Sequence, residues 1–266
     1  MQLTRIKGFF PYMLVVFFNT FVDIGHKVLI QDNLYQTSTG PVYTTLSAII
    51  NGLILVPYLF LFTPAGFIAD KYAKSWVLKI TALLAIPLTV LITWSYYQGY
   101  FVLAFSTTLL LATQSAINSP AKYGYIKELF GKECLTQANA IVQTLTIIAI
   151  LAATLVFTYF FNIFIHRQGL EQATNPSVLL QAVAPIGFIL IACSLLEAAM
   201  TFRLPTVTAA DPTSRYRFKD YLRGKKLKSY LKKTTENHII FTCILGLSIF
   251  WAVNQVLLAS YGAFLK

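Results

Sequence analysis

The sequence predicts an all-α, polytopic membrane protein: a bundle of six membrane helices followed by a seventh. Three observations carry that expectation. The 266 residues are 56% hydrophobic and only 12% charged, where a soluble globular domain carries about 25% charged residues. The apolar residues fall into seven runs, 9–30, 42–67, 76–95, 99–118, 138–161, 178–202 and 238–265, each close to the roughly 20 residues a bilayer core demands of a helix. Threaded back and forth, these runs put 18 of the 21 Lys and Arg residues on one side, the asymmetry that orients membrane helices with their positive loops in the cytoplasm.

Span 1 begins at Phe9 and outlasts a signal-peptide core, which is about 7–15 residues long; no small-residue cleavage site follows it, so it reads as a true span. Arg5 and Lys7 precede it, which places the N terminus in the cytoplasm. Inside it lies Asp23, with Lys27 one turn on and Asn19 and His26 within a turn. An Asp in mid-membrane costs about 2.5–3.5 kcal/mol on insertion scales. Either Asp23 and Lys27 form a polar site facing the bundle interior, or they are a self-neutralised i,i+4 pair near the helix end. Lys27 can snorkel; Asp23 is deeper and shorter, and cannot.

Pro57, Pro64 and Pro87 interrupt spans 2 and 3, which proline does commonly in membrane helices. The two spans are joined by Gly66-Phe-Ile-Ala-Asp70-Lys71-Tyr-Ala-Lys74. A Gly here lets helices approach closely, and an Asp among cations can latch one end of a bundle. Between spans 4 and 5 the stretch 118–143 is the longest polar interval in the first 160 residues, with Lys122, Lys127 and Lys132. Pro120 is expected to end span 4. Lys122 then stands at the mouth of any central cavity, either as a point charge for a phosphate or as one more positive-inside anchor. Gln137, Asn139, Gln143, Thr144 and Thr146 put polar groups on the opening turns of span 5.

Span 6 carries Glu197 near its end, with Arg203 six residues later, an arrangement that suggests an ion pair. The organisation is then a six-helix half over 1–202, a basic cytoplasmic linker over 203–237, and the first helix of a second half over 238–266. In the linker, Tyr216–Lys233 spaces aromatic and aliphatic residues along a basic helix, broken at Gly224. It suits the surface of anionic membrane lipids rather than nucleic acid. The chain shows no nucleophile–base pair, metal cluster or phosphate loop in its spans, so neither an enzyme nor a cofactor is expected. His166 and Glu171 have the H-x4-acid spacing of an acyltransferase site, but with Glu for Asp and no surrounding domain. Cys134, Cys193 and Cys243 form no close pair.

Two strings add a resemblance. Gly66, Asp70, Lys71 and Lys74 resemble the G-x-x-x-D-[RK]-x-G-[RK] signature of the major facilitator superfamily, with Ala73 replacing the second Gly. Ser119–Gly124 (SPAKYG), Ile126–Leu129, Leu135–Asn139 and Thr146–Leu151 are similar to the lysophospholipid transporter family within it. Asp23 and Lys27 in span 1, and Ser248–Trp251 and Gln255–Ala259 in span 7, look like its branch fused to a glycerophospholipid acyltransferase; Val22 and Ile24 depart from the Asn usual beside that Asp.

The resemblance implies a major-facilitator-type bundle that moves lysophospholipids, such as lysophosphatidylethanolamine, from the outer to the inner leaflet of the bacterial inner membrane, where an acyltransferase re-acylates them. Lys122 would meet the phosphate and Asp23 an ammonium or coupling ion, with Lys27 and Asn139 nearby. The walls of spans 1, 2, 4 and 5 would take the acyl chain. The family has twelve spans. A seven-span chain is therefore expected to be a truncated form, inactive alone, with a separate chain or fused domain supplying the rest. Two rival expectations are a transporter for another small solute and a non-transporting membrane anchor.

Overall fold

A computed structural model describes residues 3–213 and 225–264. The described residues form helices and no strands: a short 3-10 turn at Leu3–Arg5, then α1 (Phe9–Thr37), α2 (Gly40–Lys71), α3 (Lys74–Gln98), α4 (Phe101–Phe130), α5 (Leu135–Arg167), α6 (Pro176–Ala182), α7 (Gly187–Thr201), α8 (Lys225–Glu236) and α9 (His238–Phe264). Among them, α1 to α5 and the segment Ala184–Thr201 are long and apolar enough to cross a membrane, and His238–Phe250 within α9 is a shorter apolar helix. The protein is an all-α polytopic membrane protein.

The helices run past the apolar stretches that announce them, because their polar ends are buried against one another. The clearest case is α4. Pro120, expected to end span 4, lies inside this helix, which continues to Phe130. An interior proline costs a helix about 3 kcal/mol. Here Ala121, Tyr125, Ile126 and Phe130 are buried beyond it, with the Tyr125 ring 5.3 Å from that of Tyr12 and Phe130 packed on Phe9. Tertiary burial offsets the local penalty, and the expected polar interval shrinks to the turn 131–134.

Span 6 departs in the opposite sense. It is expected to be one helix over 178–202 but is broken into α6, a 3-10 turn at Ala184–Ile186, and α7. Pro185 supplies no amide hydrogen for a continuous ladder. Gly187 opens α7 where a side chain would collide with Thr93 of α3. The start of α6 is capped by Asn175, whose side chain accepts the Ser177 amide at 2.9 Å, ahead of Pro176 in the first turn.

α1 is the central helix and packs on α4, α5 and α7, while α2 and α3 flank α4. Gly25 makes the α1–α5 contact possible, since the Phe157 ring occupies the space a Cβ would need. The core is divided in two along the helices. One apolar cluster gathers Phe21, Leu29, Ile92, Phe157 and Leu190; the other gathers Tyr12, Val16, Leu78, Tyr125 and Leu204. Asn19, Thr81, Gln114, Ser115, Asn118 and Glu197 are buried between them.

After α7 the chain crosses the end of the bundle that holds the N terminus. Tyr125 donates its hydroxyl to the Pro205 carbonyl at 2.8 Å. The Asp211 amide bonds the Asp70 carbonyl at 2.9 Å, and Pro205 presses on Gly8, which holds φ at 97°. The first part of the expected linker is thus a strap on the bundle. Of the expected basic helix, 225–233 is helical within α8, and residues 216–224, with the break at Gly224, lie outside the described residues. Asn237 caps α9 by accepting the amides of Ile239 and Ile240. α9 touches α2, and its apolar side chains at 239–250 are exposed wherever they are described.

A polar cavity among four helices as the candidate functional site

The buried polar layer opens into a cavity of about 240 Å³ with walls from α1, α2, α4 and α5. Asp23, Lys27 and Lys122 all line it. The helical period explains how residues so far apart in sequence meet. On α1, Asp23 and Lys27 are one turn apart. On α4, Thr108, Ser115 and Lys122 recur every seven residues, two turns each, so they share a face. The seven-residue recurrence holds only because α4 continues through Pro120.

Asp23 accepts the Ser115 hydroxyl across the α1–α4 contact. Of the two readings of Asp23 and Lys27, the self-neutralised pair does not form; among the described residues no ion pair joins them. Two residues a turn apart both face the cavity, and the Asp carboxylate is drawn to Ser115 instead. The Lys122 ammonium lies 5.4 Å from the centre of the Tyr123 ring. Its carbonyl accepts the hydroxyl of fully buried Tyr12 at 2.7 Å, which pins that turn of α4. Opposite, α2 contributes Tyr58 and Asn51; the Asn51 amide bonds the Ser47 carbonyl at 2.8 Å, while its own carbonyl oxygen has no partner.

Asn19 and His26, which the sequence places within a turn of Asp23, meet partners on α3 and α4 that are not legible as a site from the sequence. Thr81 donates to Asn118 at 2.9 Å, and Asn118 to Asn19 at 3.2 Å, tying α3, α4 and α1 together. His26, with no exposed surface, meets the Tyr96 hydroxyl at 2.7 Å through Nδ1 and faces Thr107 and Thr108 through Nε2. The available signal is the run of Thr, Gln, Ser and Asn at helical spacing through an otherwise apolar α4.

Other expectations are corrected. Asn139, with Gln137, Gln143 and Thr144, is exposed and off the cavity lining; of that polar set only Thr146 reaches it. The reason is that α5 meets the bundle through Ala138, Val142, Ala149 and Phe157, which turns its polar residues outward. Gly66 has open space where a Cβ would stand, so it brings no helix close. Asp70 joins the strap through its carbonyl, and Lys71 lies 5.6 Å from the Phe67 and Tyr72 rings. The ion pair at this end is instead Lys74–Glu128, which joins α3 to α4 and is mostly buried. The close glycine is Gly124, which lies against the Lys74 alkyl chain.

Glu197 is 1% exposed and makes no ion pair with Arg203 among the described residues. It faces inward, beside Asn19 and within electrostatic reach of Asp23 and Lys122. His166, in the last turn of α5, and Glu171, just beyond it, bond each other at 2.6 Å on the exposed surface. The Glu171 carboxyl is held below its usual range first by a backbone amide and then by His166. The pair lies at the end of a helix, away from the cavity.

The chain is similar to the lysophospholipid transporter LplT of Yersinia enterocolitica, with 26% identity over 151 residues that make up 54% of this chain and 34% of the relative. It is also similar to the lysophospholipid transporter LplT of Serratia proteamaculans, 29% identical over 125 residues, 46% of this chain and 28% of the relative. The matches therefore span about a third of the curated relatives' length. No family model matches the chain, and no solved structure matches it.

Proposed function

We propose that this chain handles lysophospholipids, as part of a transporter of the major facilitator superfamily that carries them from the outer to the inner leaflet of a bacterial inner membrane for re-acylation. One observation carries the reading: an acid and a base, Asp23 and Lys122, line one small cavity inside a membrane bundle. A zwitterionic headgroup needs one site of each sign. Lys122 takes the phosphate as a point charge. Asp23 takes the ammonium, and the free carbonyl oxygen of Asn51 is a second acceptor for its N–H groups. Lys27 adds a second cation on the same wall. The cavity is of headgroup size, smaller than the roughly 300–1,000 Å³ that encloses a drug-sized ligand. The acyl chain would leave between the helices, toward the exposed apolar surfaces of α2 and α5. The two named relatives support this reading.

In this account the N terminus, the Lys74–Glu128 pair, the strap and α8 are cytoplasmic, where α8 rests its basic residues on anionic lipid. Residues 1–202 are one half of the transporter and α9 opens the other.

The test is binding of lysophosphatidylethanolamine to the chain in nanodiscs. Lys122→Ala and Asp23→Asn should each weaken it about tenfold or more, the equivalent of one charge-assisted hydrogen bond of about 1.5–3 kcal/mol. Equal affinity in both variants would move the headgroup site elsewhere.

A further inference from the structure

Glu197 is a second buried acid that the proposed headgroup site does not use. It stands on α7, outside the cavity lining, and its Oε2 has no hydrogen-bond partner. Among the described residues, few polar or charged groups act on it. From α1 come Asn19 and Asp23, and from α4 Lys122. Cys193 is one turn back on α7 itself. From α3 come hydroxyls, with Thr89 bonding Ser194 at 3.0 Å, while Lys79 lies beyond the helix end over the Phe202 ring at 4.5 Å. Lys122 is therefore the ammonium within reach of both enclosed carboxylates, while Lys27 lines the cavity one turn from Asp23.

An ionised carboxylate with an orphan oxygen in an apolar interior is the costliest form a Glu can take. A proton on Oε2 removes that charge and leaves Lys122 to neutralise Asp23 alone. Ser115 bonds Asp23 and Gln114, and the chain Thr81–Asn118–Asn19 leads to Glu197 through Asn19, so both acids are tied into one polar layer. Amides do not relay protons, so this chain positions the acids rather than conducting between them.

We propose that Glu197 is a proton-binding site, occupied while Lys122 neutralises Asp23 and emptied to water when the ammonium turns to Glu197. Only an O–H bond forms or breaks, with water as donor and acceptor of the proton. The two acids and their shared lysine titrate as one coupled set. The site stands on the burial of Glu197. Its link to cargo rests on the lysophospholipid reading: a phosphate that engages Lys122 withdraws the counter-charge from Glu197, while the lipid ammonium replaces it at Asp23, and so draws a proton onto Glu197.

Infrared difference spectroscopy of the whole chain in nanodiscs, over a pH series in potassium buffer, tests this through the carbonyl stretch of a protonated carboxyl. The expected result is a band at neutral pH that is absent in Glu197→Gln, shifted in Glu197→Asp and unshifted in Asp23→Glu. In Lys122→Met, where the two acids lose the cation they share, the band should grow about twofold. A band that shifts with Asp23→Glu and not with Glu197→Asp would overturn the proposal. So would a band that sodium abolishes at fixed pH, which would make the site a metal-ion site, or the absence of any band. If Glu197→Gln fails to fold, the two conservative exchanges still decide the matter. Lysophosphatidylethanolamine is then added. A band that grows supports the link; an unchanged band with lipid bound overturns the link alone. Failure of the lipid to bind contradicts the proposed function and leaves the proton site standing.

Discussion

At the level of single residues, the best-defined polar contact outside the cavity is the Lys74–Glu128 pair. Its two side chains are 8% and 22% exposed, so most of the water that would screen them is gone. Removing one partner strands the other, and Lys74→Met or Glu128→Gln should each cost about 2–3 kcal/mol in denaturation measurements. The double variant should cost less than the sum of the two, a coupling of about 1 kcal/mol or more. Gly124 belongs to the same contact. Its missing Cβ leaves room for the Lys74 chain, so Gly124→Ala should weaken the pair while Gly66→Ala, with open space around it, should not. The sequence marks Gly66, Asp70, Lys71 and Lys74 as one motif, but only Lys74 is in the ion pair. A linear string cannot show that its partner comes from a helix more than fifty residues on.

At the level of elements, close helix approach is set by a few small residues, and the account depends on them. Gly25 admits the Phe157 ring between α1 and α5. Gly25→Leu should force these helices apart and cost about 1–3 kcal/mol, as overpacking does, with a loss of lipid binding because both helices wall the cavity. Thermal unfolding and binding on the same sample check this. Seven apolar runs were legible because a bilayer imposes length and hydrophobicity on every span. Their ends were not, because burial decides them: α4 overrides Pro120 by packing Tyr125 and Phe130, whereas Pro185 and Gly187 do break span 6, where α7 packs tightly on Thr93. The same limit applies to the site. Asp23 and Lys27 stood out because charge inside an apolar run is costly, and Lys122 by its place in the polar stretch after span 4 and in the string Ser119–Gly124. Ser115, Asn118 and Asn51 did not, since uncharged polar groups are common in membrane helices and only the packing shows which of them meet. Asn139 looked equivalent to Thr146 until the buried face of α5 fixed which way each turns.

At the level of the whole molecule, the alternation of spans and the one-sided cations predict a topology that labelling can test. With Cys134, Cys193 and Cys243 replaced by Ser, a Cys placed at Ser38 and one placed at Lys132 should react with a membrane-impermeant reagent from opposite sides. Labelling of both from one side would contradict the threading. The bundle has an apolar core on each side of a polar layer, and the cavity opens from that layer among α1, α2, α4 and α5. The central claim is that a lipid phosphate reaches Lys122 there. A phosphorus-to-nitrogen correlation in solid-state NMR, with lysine-labelled chain and lysophosphatidylethanolamine in nanodiscs, measures this contact directly. The account predicts a cross-peak between the lipid phosphorus and the Lys122 Nζ that disappears in Lys122→Ala. A phosphorus contact only to lysines of α8, or a cross-peak that survives Lys122→Ala, would contradict it.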